Sequence, residues 1–423
     1  MSRFLLVGVL AGLVACLTGS ALLAQQEESW PQWRGPDRTD IGSAENTLQE
    51  WPSGGPEQLW ISRKGGLGYS GFAVVQDFLV TMGEEDGQQF VTALDPNTGS
   101  TIWTTPTGRG YENRWGGGPR GTPTIDADRV YALDARGKLV CLNLKDGAKI
   151  WSQDLTELGG KIPQWGYSES VFVDSDQVVC TPGGSQGAVA AFNKESGELK
   201  WQLSGNTEVA HYSSIMKAEI NGQLQYVQLM AKKLLGISMN GDLLWQSDWP
   251  GRTAVIPTPI IEGNEVYISS GYGVGSKKVK VGSGNEVSDV WKNTTMKNHH
   301  GGVIKVDNHL YGYSDRVGWV CQDWTTGEMV WNFKKMDNQE GGLGKGAIGY
   351  ANGQFICVSE STGTVVLIDA VSSGWSEKGR FTLEPQTDRR KPQGRIWVHP
   401  VVVDGKLYLR DQEIVYCYDV SDK

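Results

Sequence analysis

Apolar residues along this chain fall in short runs, separated by clusters of Gly, Asp, Asn, Ser and Thr. Leu139-Val140-Cys141-Leu142 and Phe355-Ile356-Cys357-Val358 are two such runs. Short β-rich runs bounded by turn residues predict β-strands joined by tight hairpins. One phrase recurs in register: Ala93-Leu94-Asp95-Pro96-Asn97-Thr98-Gly99-Ser100-Thr101-Ile102-Trp103. Variants end at Trp151, Trp201, Trp245 and Trp331. In each, an apolar strand stops at an Asp or Asn able to cap a turn. A Gly then supplies positive φ, and a second strand runs out to Trp. Ahead of each hairpin stands another strand pair, such as Thr122 to Ile125 followed by Arg129 to Leu133.

Trp60, Trp103, Trp151, Trp201, Trp245, Trp291 and Trp331 recur at spacings of 40 to 50 residues. That period, with four strands per unit, predicts propeller blades, each Trp anchoring one blade on the next. Complete units lie at about 68–108, 120–157, 167–205, 210–249, 255–296, 299–337 and 344–385. The seventh is irregular, with Trp375 and Phe381 out of step. Residues 395–419 supply three further strands and Gln58 to Ser62 supplies the missing fourth. The expected fold class is therefore all-β: a single eight-bladed β-propeller, its ring closed by pairing of N- and C-terminal strands, which removes two free edges.

The phrase A-x-D-x-x-T-G-x-x-x-W resembles the tryptophan-docking motif of pyrroloquinoline-quinone (PQQ) type propellers. The similarity runs from about residue 58 to 419. Trp30-Pro31-Gln32-Trp33-Arg34-Gly35-Pro36-Asp37-Arg38 resembles the start of exported PQQ-like repeat proteins. The wider group includes quinoprotein alcohol dehydrogenases and BamB-type scaffolds of outer-membrane assembly, so the resemblance speaks strongly to fold and weakly to function.

Composition narrows the classes. The 423 residues include 56 Gly and 17 Trp, with a formal net charge of −9. An acidic chain without a basic stretch excludes a nucleic-acid partner. Arg3 followed by the apolar run Phe4 to Leu17, and small Ala24 before Gln25, reads as a secretory signal over 1–24. Lipidation at Cys16, in Leu13-Val14-Ala15-Cys16, is the alternative. No later stretch reaches the length of a membrane span. Residues 25–57, without periodicity, are expected to wrap the propeller of 58–423. Five cysteines remain after the signal, all in apolar strand-like runs; the odd number leaves at least one unpaired, and buried free thiols are expected. The protein is expected to be exported and monomeric.

Candidate chemistry gathers before the inner strands, where propeller channels bind ligands. Four of the five His residues, His211, His299, His300 and His399, fall at that point of the repeat. The candidate channel-mouth set is Arg120, Trp165, Glu169, His211, Tyr212, His300, Lys345 and His399. Trp and Tyr offer stacking, and Arg and Lys an anchor for an anionic group. A wet channel lining with no ligand accounts for the same residues. His211, His300, His399 and Glu169 have metal-ligand chemistry but no supporting spacing. A PQQ enzyme, as the resemblance implies, needs a calcium ion held by a Glu and an Asn, an Asp base and an adjacent Cys pair. Glu169 can stand for the Glu; the Cys pair and the Asp base are missing. The run Lys277-Lys278-Val279-Lys280 reads as a solvated hairpin face.

The reading is thus a non-catalytic binding or scaffold module with a polar channel mouth, taking a protein partner or a small ligand and no cofactor. The alternative is a quinoprotein-type oxidoreductase with PQQ and Ca²⁺ in the channel. A glycan-processing or lyase-type enzyme using the His, Tyr and Arg residues of the mouth is a third possibility.

Overall fold

The computed structural model describes residues 28–42 and 46–422. Its strands form eight four-stranded antiparallel sheets. Seven are built from consecutive strands, blade 1 for example from Ala73–Val75, Phe78–Glu85, Gln88–Leu94 and Thr101–Arg109. The eighth joins Val401–Val403, Lys406–Asp411 and Ile414–Asp419 to the N-terminal Glu57–Ser62. Glu57 pairs with Asp419 and Ser62 with Val415, so the ring is closed as the repeat arithmetic requires. Among the described residues the helical content is one 3-10 turn, Leu155–Leu158. The proposed cleavage site and Cys16 lie outside the described residues.

Apolar side chains alternate toward the gaps between blades, and each gap is a core. Ala73, Val80 and Met82 of blade 1 meet Ile125, Val130 and Ala132 of blade 2 in one cluster. The Trp comb clasps these layers. The Trp103 indole donates to Leu144 O (2.8 Å) and its ring lies against Gly147, in the turn of the next blade. Trp60 on Gly99, Trp151 on Gly197, Trp201 on Gly241 and Trp291 on Gly327 repeat the contact. A second element repeats with it, unforeseen in the sequence: the side chain two residues after the Trp donates to the same Gly carbonyl. Ser62, Thr105, Gln153 and Asn293 do so at 2.6 to 2.8 Å.

Two departures have clear physical causes. Trp245 turns back over Gly236 of its own blade and donates to Gln225 Oε1 instead of docking on a turn Gly of the next blade, while staying in one core cluster with Val266, Ile268 and Val279 of blade 5. Blade 7 has no docking Trp in its outer strand, Glu377–Thr382. Trp51, from the segment before the first strand, lies there instead, over Gly379 and 5.4 Å from the Phe381 ring.

The lysine run corrects the expected solvated face. Lys277 and Lys278 are buried and only Lys280 is exposed. Lys278 pairs with Glu265 (2.7 Å) under the Trp324 ring (4.7 Å), and Lys277 pairs with Asp289 (2.6 Å). A buried ammonium needs such partners. The cysteines Cys141, Cys180, Cys321, Cys357 and Cys417 are buried and unpaired. Cys141, Cys321 and Cys417 stand opposite Trp151, Trp331 and Trp60 in register, a position Ala93 and Ala191 fill in other blades. There the thiol serves as a small apolar side chain beneath an indole.

Candidate functional site

The central channel has a stopper. Residues 30–42, without repeat structure, enter it and touch every blade. Trp30 pairs with Val74 of blade 1, and Ile125 N of blade 2 donates to Pro31 O. Arg38 donates to Ser170 O and Val171 O of blade 3 and Ile215 O of blade 4. The Trp33 indole donates to Thr258 of blade 5 (3.2 Å) and Arg34 to Val303 O of blade 6 (2.7 Å). Ile41 pairs with Tyr350 of blade 7, and Asp40 lies 3.8 Å from His399 of blade 8. Arg34 and Asp40 form a buried ion pair at 2.6 Å. The stopper's guanidiniums donate to backbone carbonyls at or just before the inner strands, which meets part of the blades' backbone hydrogen-bonding demand near the axis. Residues 46–55 run outside, along blades 7 and 8, where Leu48 N donates to Val420 O and Trp51 N to Lys378 O.

Above the stopper lies a cavity of about 420 Å³. Trp33 and Arg34 contribute to its lining, and all eight blades add the residues just before their inner strands. Of the sequence-predicted set, Arg120, Trp165, Tyr212, His300, Lys345 and His399 line this one cavity. Glu169 and His211 do not. The Glu169 carboxylate accepts from Thr181 N (2.6 Å) and Thr181 Oγ1 (3.0 Å) and is buried. Desolvation pushes its pKa up to about 8, against those hydrogen bonds and the Arg38 charge. The His211 ring accepts from Val255 N (3.3 Å), and burial lowers its pKa.

Trp33, Tyr69, Tyr272 and Glu360 are among the lining residues that the sequence-predicted set missed. Tyr69 stands before the inner strand of blade 1, so the rule applied to the other blades reaches it. Tyr272 and Glu360 lie in loops between second and third strands, at the same end of their blades. Trp33 belongs to a segment with no periodic signal.

The walls are aromatic. Trp397 stacks on His300 (4.3 Å) and meets Tyr69 (4.8 Å) and Trp115 (6.4 Å). Trp165 meets Tyr212 (5.7 Å), and Trp33 meets His399 (4.7 Å). Charge is placed among these rings. Arg120 lies over Tyr69 (5.2 Å) and Tyr111 (5.4 Å), its guanidinium held by Gly116 O and Gly118 O. Among the described residues no carboxylate pairs with it, and desolvation lowers its pKa. Lys345 is compensated: it donates to Asp315 (2.7 Å) and His299 Nδ1 (2.9 Å). Glu360 accepts from the Trp397 indole (2.9 Å), and burial raises its pKa. Burial, and then Lys345, push the His299 pKa down to about 3; burial first, and then His299, drive His300 down as well. Both imidazoles are neutral at pH 7. His399 donates its Nε2–H to His300 O (2.8 Å).

A family model described as outer membrane protein assembly factor BamB matches residues 87–333, more than half the chain. The chain belongs to that family. BamB from Moraxella catarrhalis is 15% identical, with a TM-score of 0.59 over 86% of this chain and 97% of that one. Quinohemoprotein alcohol dehydrogenase from Comamonas testosteroni is 12% identical, with a TM-score of 0.61 over 93% and 81%. The computationally designed Ika8 protein aligns at 0.58, with 12% identity, over 86% and 100%. These likenesses establish the propeller fold shared by the BamB family and the quinoprotein dehydrogenases. No curated protein matches the sequence.

The donor set that the PQQ resemblance implies does not fit this BamB-family cavity. Its lining holds one carboxylate, Glu360, and no Asn, Asp or Cys. Glu169, the candidate calcium ligand, is turned away and spent on Thr181. Among the described residues, no three His, Cys, Asp or Glu side chains gather as a metal set. The four-residue set considered from the sequence is divided, His300 and His399 at the cavity and His211 and Glu169 outside it.

Proposed function

We propose that this BamB-family propeller is an exported binding module, without catalysis of its own, whose central cavity captures a small organic anion. The observation that carries this reading is Arg120, a guanidinium set among aromatic rings with only backbone carbonyls as partners. Taking such a charge out of water without a counter-ion is unfavourable, and an anionic ligand relieves it. A concave site of a few hundred Å³, largely apolar with a few converging polar groups, is the usual form of a small-molecule pocket. The stopper supports binding from one side, because residues 30–42 occupy the axis beneath the cavity. Export rests on Arg3 and the apolar run that follows it.

The test is a titration of the purified mature protein with organic acids and their neutral counterparts, followed by Trp fluorescence. Acids that bind saturably and lose affinity in Arg120→Gln support the reading. No response to any organic anion overturns it. Dye reduction with added PQQ and Ca²⁺ is run in parallel, and turnover there overturns the non-catalytic assignment. N-terminal sequencing of the exported protein decides between cleavage after Ala24 and a lipid-modified Cys16.

A further inference from the structure

Resting on that anion-binding reading, we infer that the cavity end of the propeller is an electrostatic funnel: basic residues of its connecting loops, Arg114 foremost, draw anions to the mouth and speed their passage to Arg120, although the chain as a whole is acidic.

The two ends of the ring differ in charge. Connections from an outer strand to the next inner strand, and from a second strand to a third, gather at the cavity end. They hold 17 Lys and Arg against 13 Asp and Glu. The turns joining first to second and third to fourth strands lie at the other end. Their basic residues are Lys145 and Lys194, against 12 Asp and Glu. Turn chemistry explains that far end, because tight turns take Asp as a cap. Asp95 Oδ1 accepts from Asn97 N (2.7 Å) and Asp146 Oδ1 from Ala148 N (3.0 Å). No such demand places Lys and Arg at the cavity end.

Range decides which end an incoming anion feels. Six-residue strands such as Lys406–Asp411 rise about 3.3 Å per residue, which sets the ends roughly 20 Å apart. The screening length at physiological ionic strength is about 8 Å. An anion at the mouth therefore responds to the mouth and is shielded from the acidic turns.

Within the mouth the pattern narrows to one loop. Asp315 and Glu413 are already paired, with Lys345 and Arg63, and Glu169 is buried. Among the described residues Arg114, Lys161 and Arg252 are exposed and have no ion-pair partner. Arg114 and Arg120 stand on one connection, 110–123, the first outside and the second at the cavity. The Arg114 guanidinium lies over the Trp115 ring (5.7 Å), and Trp115 meets Trp397 of the cavity wall (6.4 Å). Trp397 meets Tyr69 (4.8 Å), which lies under Arg120 (5.2 Å). The loop is fixed: Asn113 accepts from Trp115 N (3.0 Å) and donates to Gln164 O of the next connection (3.2 Å). Cations held around an entrance act on association rate more than on dwell time.

The test reads the field itself and needs no ligand. A cysteine is placed at Ser168 in the cavity lining and, as a control, at Ser196 in an exposed far-end turn; the native thiols are buried. Each variant reacts with a sulfonate-bearing and with a trimethylammonium-bearing methanethiosulfonate, and each rate is divided by that of a small free thiol. At Ser168→Cys the normalised sulfonate rate is expected to exceed the ammonium rate by about threefold or more, shrinking in about 0.5 M salt. At Ser196→Cys the order is expected to reverse. Adding Arg114→Gln is expected to lower the sulfonate rate at Ser168→Cys by roughly twofold. Should Ser168→Cys misfold or stay unreactive, Thr253→Cys, at an exposed position of the same end, takes its place. An ammonium preference, or none, at the cavity end overturns the funnel and leaves the anion reading to its own titration. A sulfonate preference untouched by Arg114→Gln overturns the role given to Arg114, and one of equal size at Ser196→Cys overturns the asymmetry. The expected rates without saturable binding of any organic anion overturn the anion reading and leave the field standing.

Discussion

Trp103 and Gly147 touch across the gap between blades 1 and 2: a Cβ built on Gly147 would stand 2.5 Å from the indole Cε3. The same Gly has φ +70, so it answers two demands at once, a left-handed turn and a ring lying flat on it. Gly147→Ala is expected to destabilise by ~2–4 kcal/mol, strain and overpacking together. Gly222, with φ +77 and nothing within 4 Å of a Cβ, isolates the strain, and Gly222→Ala is expected to lose ~1 kcal/mol. Chemical denaturation of the two variants checks the difference. Equal losses would remove the indole contact as a source of blade cohesion.

The stopper is predicted to stabilise the ring as well as close it. Arg38 is buried and bridges carbonyls of blades 3 and 4. Arg38→Met orphans those carbonyls, at an expected loss of ~3 kcal/mol. Exposed Arg252, changed to Met, is the control, with stability expected unchanged. A denaturation midpoint for Arg38→Met equal to wild type would show that the segment sits in the channel without bearing on stability.

Glu169 sets the sign of one pH effect. Its pKa is about 8 in the folded chain against an ordinary 4.5, so the folded state holds the extra proton between those values. Its contribution is therefore full below about pH 4.5 and is lost as pH rises through 8. Glu169→Gln abolishes that slope, and the variant is expected to gain stability relative to wild type between pH 5 and pH 8. Parallel urea curves at the two values test this; a difference that stays constant, or moves the other way, refutes it.

His299 works in the opposite sense. Its folded pKa of about 3 lies below the ordinary 6.5, so the unfolded chain binds the proton first. The contribution is present above pH 6.5 and is lost as pH falls toward 3. His299→Gln is expected to unfold less readily on acidification than wild type, read from tryptophan emission across that range. Wild-type acid sensitivity in the variant would count against the assignment.

The five described cysteines are expected to be unreactive toward a thiol reagent in the native protein and reactive once it is unfolded. Burial pushes the Cys141 and Cys321 thiols up to about 11 and Cys417 to about 12, which keeps them protonated. Rapid labelling before unfolding would show that the blades open locally.

The repeat, the count of eight blades and the closing strand were legible in the sequence because each rests on local chemistry. Turn residues, alternation and the spacing of Trp are written along one strand pair at a time, and the missing fourth strand of the last blade follows from arithmetic. The same locality explains the successes at the cavity: Arg120, Trp165, Tyr212, His300, Lys345 and His399 share one position in the repeat, and the repeat carries all of them to one end of the axis. What only the tertiary structure decided is which way a side chain turns once there. Glu169 and His211 hold that position too, yet Thr181 and Val255 hold them outside the cavity. Trp245 folds back because Gly236 leaves room in its own blade. The stopper lay furthest out of reach: residues 30–42 have no period, and their partners, from Val74 to His399, become neighbours only when eight blades converge on one axis.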